Sequence, residues 1–283
     1  MDQRFIELFD CFTHGAMKRR EFLEKLGSLA GGTAAATSAL AMLENNYARA
    51  AMIAEDDPRL QSSALELDTN VTGYLSVPVE GDSFPGVLVI HENRGLNPHI
   101  RDVTRHLALE GFVAFAPDYL FGKGSTPEDP DKARDMIGTL KADEVLTTSQ
   151  RSLQAINQHP KNKANKTGAV GFCWGGLQVN RLAVADPSLK AGVAYYGAQP
   201  PEADVPKITA PLLLHYAGLD DRINAGIAAF EAALKANNKT YELHMYEGAN
   251  HAFNNDTNAA RCNKEAADLA WNRTVAFLKK HVS

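Results

Sequence analysis

From Asp57 onward, short apolar runs alternate with longer segments whose apolar positions recur at helical spacing. Runs at 71–77, 86–91, 112–116, 169–172, 191–195, 212–216 and 242–246 are rich in β-branched and aromatic residues and predict strands. Several are apolar without a break, as happens where helices cover both faces of a mostly parallel sheet. Between them, 100–110, 144–158, 177–185, 225–236 and 264–281 read as helices. In 144–158, Val145, Leu146, Leu153 and Ile156 fall near one face while Gln150, Arg151 and Gln154 can face water. Strand, helix, strand, helix predicts an α/β fold: one domain over residues 56–283 with a mostly parallel, doubly wound sheet and no internal repeat.

Residues 1–55 break this rhythm and form a separate amino-terminal arm. Lys18-Arg19-Arg20-Glu21-Phe22-Leu23 leads into the uncharged, weakly apolar stretch 26–43, and Ala48-Arg49-Ala50 follows. That order resembles a twin-arginine export signal with an A-x-A cleavage site, which implies a periplasmic location. The stretch is too weakly apolar for a stable membrane span. The leader before the arginines is long and carries Asp2, Glu7 and Asp10, so the alternative is an arm, amphipathic or poorly ordered, on a cytoplasmic enzyme.

Charge changes the picture by exclusion. A net charge of −5 offers no basic footprint for phosphates, so nucleic acid is not an expected partner. The three cysteines, Cys11, Cys173 and Cys262, form no C-x-x-C pair, and neither a disulfide framework nor a metal knuckle is expected.

One cysteine has a chemical setting. A short apolar strand runs into Gly171-Phe172-Cys173-Trp174-Gly175, and a helix follows: the strand–turn–helix elbow G-x-C-x-G that holds a nucleophile at the tip of a strained turn. Glycines two before and two after are required where a Cβ would strike neighbouring backbone. The start of a helix also favours thiolate over thiol. A small buried hydrophobe is the commonest fate of a free cysteine, and it is the reading kept for Cys11 and Cys262.

In folds with this elbow the order along the chain is nucleophile, acid, histidine. The strand at 212–216 ends in Asp220-Asp221, and Asp220, with Ile223 three residues on, is the better match to the acid; either could instead cap a helix. His251 lies in the loop after the last strand and becomes the base, whereas His215 and His244 fall inside strands and read as core histidines. The oxyanion would be met by the backbone N–H groups of Trp174 and Asn93.

Taken together, His91-Glu92-Asn93-Arg94-Gly95-Leu96-Asn97, Ala116-Pro117-Asp118, the elbow and Gly248-Ala249-Asn250-His251-Ala252-Phe253 resemble the dienelactone hydrolases, α/β-hydrolases that cleave lactones and esters. The resemblance runs over nearly all of residues 65–281. It implies that Glu92 lies beside the cysteine and governs its protonation, with an ion pair to Arg94 or Arg101 as the alternative. It further implies a cysteine nucleophile, a thioacyl intermediate, a small ester or lactone substrate and no cofactor. Two arginines that clamp a substrate carboxylate in that family are missing here: the matching stretches read Tyr119-Leu120-Phe121-Gly122-Lys123 and Asn254-Asn255-Asp256. Arg94, Tyr119, Phe121, Lys123 and Phe253 are the expected pocket residues. A thioesterase, suggested by Trp174, Phe121 and Phe253, and a silent ligand-binding scaffold are the competing readings.

Overall fold

The structure, a computed structural model, describes residues 1–47, 52–68 and 71–282. The arm folds into α1 (Gln3–Thr13), α2 (Arg19–Ala30) and α3 (Thr33–Leu43). The body runs β1 (Leu60–Asp68), β2 (Val71–Pro78), β3 (Phe84–Ile90), α4 (Pro98–Leu109), β4 (Val113–Pro117), α5 (Pro130–Ile137), α6 (Ala142–Gln158), β5 (Asn162–Phe172) and α7 (Trp174–Ala185). It continues through β6 (Gly192–Tyr195), β7 (Leu212–Ala217), α8 (Asp221–Asn224), α9 (Ile227–Ala236), β8 (Tyr241–Tyr246) and α10 (Lys264–Val282).

Eight strands form one sheet in the order β1-β2-β4-β3-β5-β6-β7-β8. The first two pairings in that order, β1 with β2 and β2 with β4, are antiparallel, and the rest are parallel. This is the α/β-hydrolase fold. Unbroken apolar runs have the expected cause: Val87 to Ile90 in β3 and all six residues of β7 are buried, because two hydrophobic clusters sandwich the sheet. On α6, Val145, Leu153 and Ile156 are buried and Arg151 and Gln154 exposed, as the spacing requires.

Three body elements escaped the pattern, the single-turn α8 among them. Of the eight β1 side chains described, four are exposed and three, Leu60, Leu65 and Leu67, reach the core, so its hydrophobic signal is weak, as expected at an edge. Helix α5 is two turns long, started by Asp129, whose side chain accepts from the Asp131 and Lys132 amides, and it buries only Ala133 and Ile137.

The arm has a core of its own. Ile6, Phe9, Phe12, Phe22, Leu26 and Leu43 are buried together, and the Phe12 and Phe22 rings stack at 4.7 Å. The uncharged stretch 26–43 is not one helix: Gly31 and Gly32, at φ 79° and 142°, break it, and α2 and α3 meet at 115°. Among the described residues no single helix is long and apolar enough to cross a membrane. The Ala48-Arg49-Ala50 cleavage pattern lies outside the described residues.

Candidate active site

All four residues nominated for chemistry sit beyond the carboxyl ends of parallel strands, the rim where open α/β sheets place their sites. Glu92 follows β3, Cys173 follows β5, Asp220 follows β7 and His251 follows β8. Residues far apart in sequence converge because neighbouring parallel strands end at the same edge.

Cys173 occupies the turn between β5 and α7 with φ 55° and ψ −113°, a left-handed conformation that a side chain rarely tolerates. Its neighbours explain how the turn closes. A Cβ on Gly171 would strike the Gly175 carbonyl, and one on Gly175 would strike the Ile90 carbonyl at the end of β3. The elbow therefore packs backbone on backbone, and Cys173 is left at the start of α7, whose first N–H groups have no partner within the helix. Trp174, the first residue of that helix, lies with its ring stacked on His91 at 5.3 Å and edge-on to Tyr119 at 5.3 Å.

His251 is buried and its Nδ1 meets Asp220 Oδ2 at 2.5 Å. Asp220 also caps α8, accepting from the Ile223 amide at 3.3 Å, so the capping and histidine-holding readings are both satisfied by one carboxylate. Asp221 is exposed. Burial works to raise the Asp220 carboxyl, but the His251 hydrogen bond and charge, with Arg222, hold it below the usual range. Burial likewise works to lower His251, yet its interaction with Cys173 and the Asp220 bond push it up to about 10.

Glu92 is buried, its oxygens held by the Tyr196 hydroxyl at 3.4 Å and the Asn255 amide at 3.1 Å. The expected ion-pair partners look elsewhere: Arg94 lies 4.0 Å from Asp131 and Arg101 sits over the Tyr74 ring. Glu92, Cys173 and His251 border a void of about 20 Å³, beside a larger cavity of about 540 Å³ walled by His14, Asn93, Cys173, Trp174, Tyr196 and Arg222.

Most of the expected pocket residues are not in that wall. Tyr119 is buried with its hydroxyl on Ser149, and Phe253 is fully buried in the core with Tyr196 and Tyr246. Phe121 and Lys123 form a short 3-10 turn that lines neither cavity, with Lys123 exposed to solvent. Arg94 borders the small void but spends its guanidinium under the arm, 6.0 Å from the Phe9 ring. Tyr119 and Phe253 are thus taken up by the core, and Phe121 and Lys123 lie on a turn outside the cavity.

The arm supplies what the sequence reading missed. Gln3 donates to Asn250 at 2.7 Å, Arg261 to Asp10 at 3.0 Å, and the Asn93 side-chain amide to the Thr13 carbonyl at 2.8 Å. Just past the end of α1, His14 Nε2 lies 3.4 Å from Cys173 Sγ, and its ring meets His251 edge-on at 4.6 Å. The spacing of Ile6, Phe9 and Phe12 marks an amphipathic helix in need of a surface, but nothing in the sequence says which surface. Tyr196 and Asn255, loop residues with no motif of their own, were also missed, and Arg222 reaches the cavity from the short helix α8.

The family model described as the dienelactone hydrolase family matches residues 71–282, and the chain belongs to that family. It is 32% identical over 246 residues to a protein of Escherichia coli (strain K12) named "Putative carboxymethylenebutenolidase", covering 76% of this chain and 89% of that one. It is 32% identical over 226 residues to the "Probable 2-oxo-3-(5-oxofuran-2-ylidene)propanoate lactonase" of Bradyrhizobium sp, covering 74% and 89%. Among solved structures, a "Putative Dienelactone Hydrolase" from Klebsiella pneumoniae subsp. pneumoniae MGH 78578 superposes with TM-score 0.71 at 29% identity, over 78% of this chain and 99% of that one. The protein is a hydrolase of the dienelactone hydrolase type.

Proposed function

We propose that the protein cleaves carboxylic esters or lactones through a Cys173 thioacyl intermediate, with His251 as base and Asp220 holding it. The observation that carries this is the pairing of a left-handed Cys173 at a helix start with a buried His251 fixed by Asp220 at 2.5 Å. His251 holds the proton shed by the Cys173 thiol, and the thiolate attacks the carbonyl carbon. Backbone N–H groups of Trp174 and Asn93 meet the oxygen as it gains charge. The C–O bond breaks and His251 gives its proton to the leaving alkoxide; water then attacks the thioester with His251 as base, the C–S bond breaks, the acid leaves and the proton from water stays with the Cys173–His251 pair. Glu92 shares the small void with Cys173 and His251, where a carboxylate biases the proton between sulfur and ring.

The names of the two sequence relatives favour a lactone as substrate. The thioesterase reading loses support, since Phe121 and Phe253 stand outside the cavity and Trp174 alone of its three rings lines it. Cys173→Ala is expected to abolish hydrolysis of an ester or lactone panel with the fold intact, and Cys173→Ser to retain at best a little. Retention of most activity in Cys173→Ala would remove the cysteine from the mechanism.

A further inference from the structure

The His14 contact has a chemical consequence that hydrolysis does not use. His14 Nδ1 lies 2.8 Å from the Asp10 carbonyl, which can only accept, so the proton is on Nδ1 and the lone pair on Nε2. His251 Nδ1 likewise donates, to Asp220. His14 Nε2 points at Cys173 Sγ, and His251 Nε2 is buried without a hydrogen-bond partner among the described residues. One imidazole from the arm and one from the body thus flank a single sulfur, and Cys173 and His251 share one exchangeable proton between them. The sulfur and one nitrogen from each ring lie within 4.8 Å of one another.

One sulfur and two imidazole nitrogens form the donor set of zinc and other thiophilic cations. Imidazoles whose far nitrogens are tied to a carbonyl and a carboxylate are oriented as metal ligands are. We propose that in the full chain Cys173, His14 and His251 form a three-ligand site for a thiophilic divalent cation, typified by Zn²⁺, that joins the arm to the body. The cavity of about 540 Å³ bordered by Cys173 and His14 can supply water to a fourth position. On binding, the one proton shared by Cys173 and His251 passes to solvent as the sulfur–metal and nitrogen–metal bonds form, with no change of oxidation state. The sulfur lone pair is then unavailable for acyl transfer, and the arm is pinned over it. The site does not depend on Cys173 being the hydrolytic nucleophile, and its test reads binding rather than activity.

The test uses the full chain with Cys11→Ser and Cys262→Ser, so that only one thiol remains. Zn²⁺ is titrated against a chromophoric chelator, and Co²⁺ is added to read the near-ultraviolet thiolate-to-metal band. One metal per chain is expected. The band should vanish in Cys173→Ala, and Zn²⁺ affinity should fall at least about tenfold, some 1.4 kcal/mol, in His14→Gln. Uptake well below one metal per chain, or an affinity unchanged by His14→Gln, overturns the site. If His14→Gln fails to fold, trypsin digestion of the arm in the unaltered chain decides: slower cleavage of residues 1–47 with Zn²⁺ supports the site, and an unchanged rate overturns it.

Discussion

Asp220 and His251 meet through a 2.5 Å hydrogen bond, while Asp221, one residue further on, faces solvent at the start of α8. In the proposed mechanism only Asp220 can hold the histidine in the tautomer that leaves Nε2 for the thiol. Asp220→Asn is therefore expected to lower kcat by orders of magnitude, roughly 10²- to 10⁴-fold, as a wrong tautomer does in other triads. Asp221→Asn should stay near the unaltered enzyme. Steady-state kinetics on one ester for both variants checks this, and the reverse pattern would transfer the role to Asp221.

Substrate charge is the second test. The two carboxylate-clamping arginines implied by the family are absent from their expected stretches, yet Arg222 lines the cavity beside Cys173. A charge-assisted hydrogen bond from it contributes about 1.5–3 kcal/mol to binding an anionic lactone. Arg222→Ala should raise KM for a carboxylated lactone about tenfold or more and leave an uncharged ester of similar size nearly unaffected. Equal effects on the two substrates would mean that Arg222 meets no carboxylate.

His215 gives a pH dependence independent of catalysis. Burial, then the charges of His244 and Arg273, hold this ring well below its ordinary 6.5, between the Tyr246 and Thr274 hydroxyls. The unfolded chain thus binds a proton that the folded chain refuses, so this contribution to stability is present above pH 6.5 and is lost as pH falls below it. Thermal melts between about pH 7 and pH 5 should show Tm falling more steeply in the unaltered chain than in His215→Gln. Parallel slopes would show that His215 does not carry the effect.

Export, proposed from the paired arginines, can be separated from arm docking. Arg19 is held by Asp131 and by Glu44, so replacing it disturbs the arm, but among the described residues Arg20 pairs only with Glu24 on its own helix, at 2.9 Å. Arg20→Lys keeps the charge and the local pair. If the arm directs export, the native chain is found in the periplasmic fraction of its bacterial host, shortened near Ala50, and Arg20→Lys remains inside at full length. A full-length native chain confined to the cytoplasm would leave residues 1–47 as a permanent part of the enzyme.

The sequence by itself determined the sheet and the elbow, because both are written in local chemistry. Seven of the eight strands announced themselves as short runs rich in β-branched, aromatic and other apolar residues, and Gly171 and Gly175 announced the turn because no residue with a Cβ fits there. The order of Cys173, Asp220 and His251 was legible for the same reason: each sits just after a strand, and parallel strands deliver their ends to one rim. Tertiary structure alone decided what surrounds them. Tyr119, Phe121, Lys123 and Phe253 lie near site motifs in sequence, but core packing takes up Tyr119 and Phe253, Phe121 and Lys123 sit on a turn outside the cavity, and Arg222 of α8 and Tyr196 of the loop after β6 come into its wall. His14 reaches a sulfur 159 residues away. An amphipathic helix such as α1 specifies that its apolar face must be buried, not where, and the partner surface exists only once the body has folded.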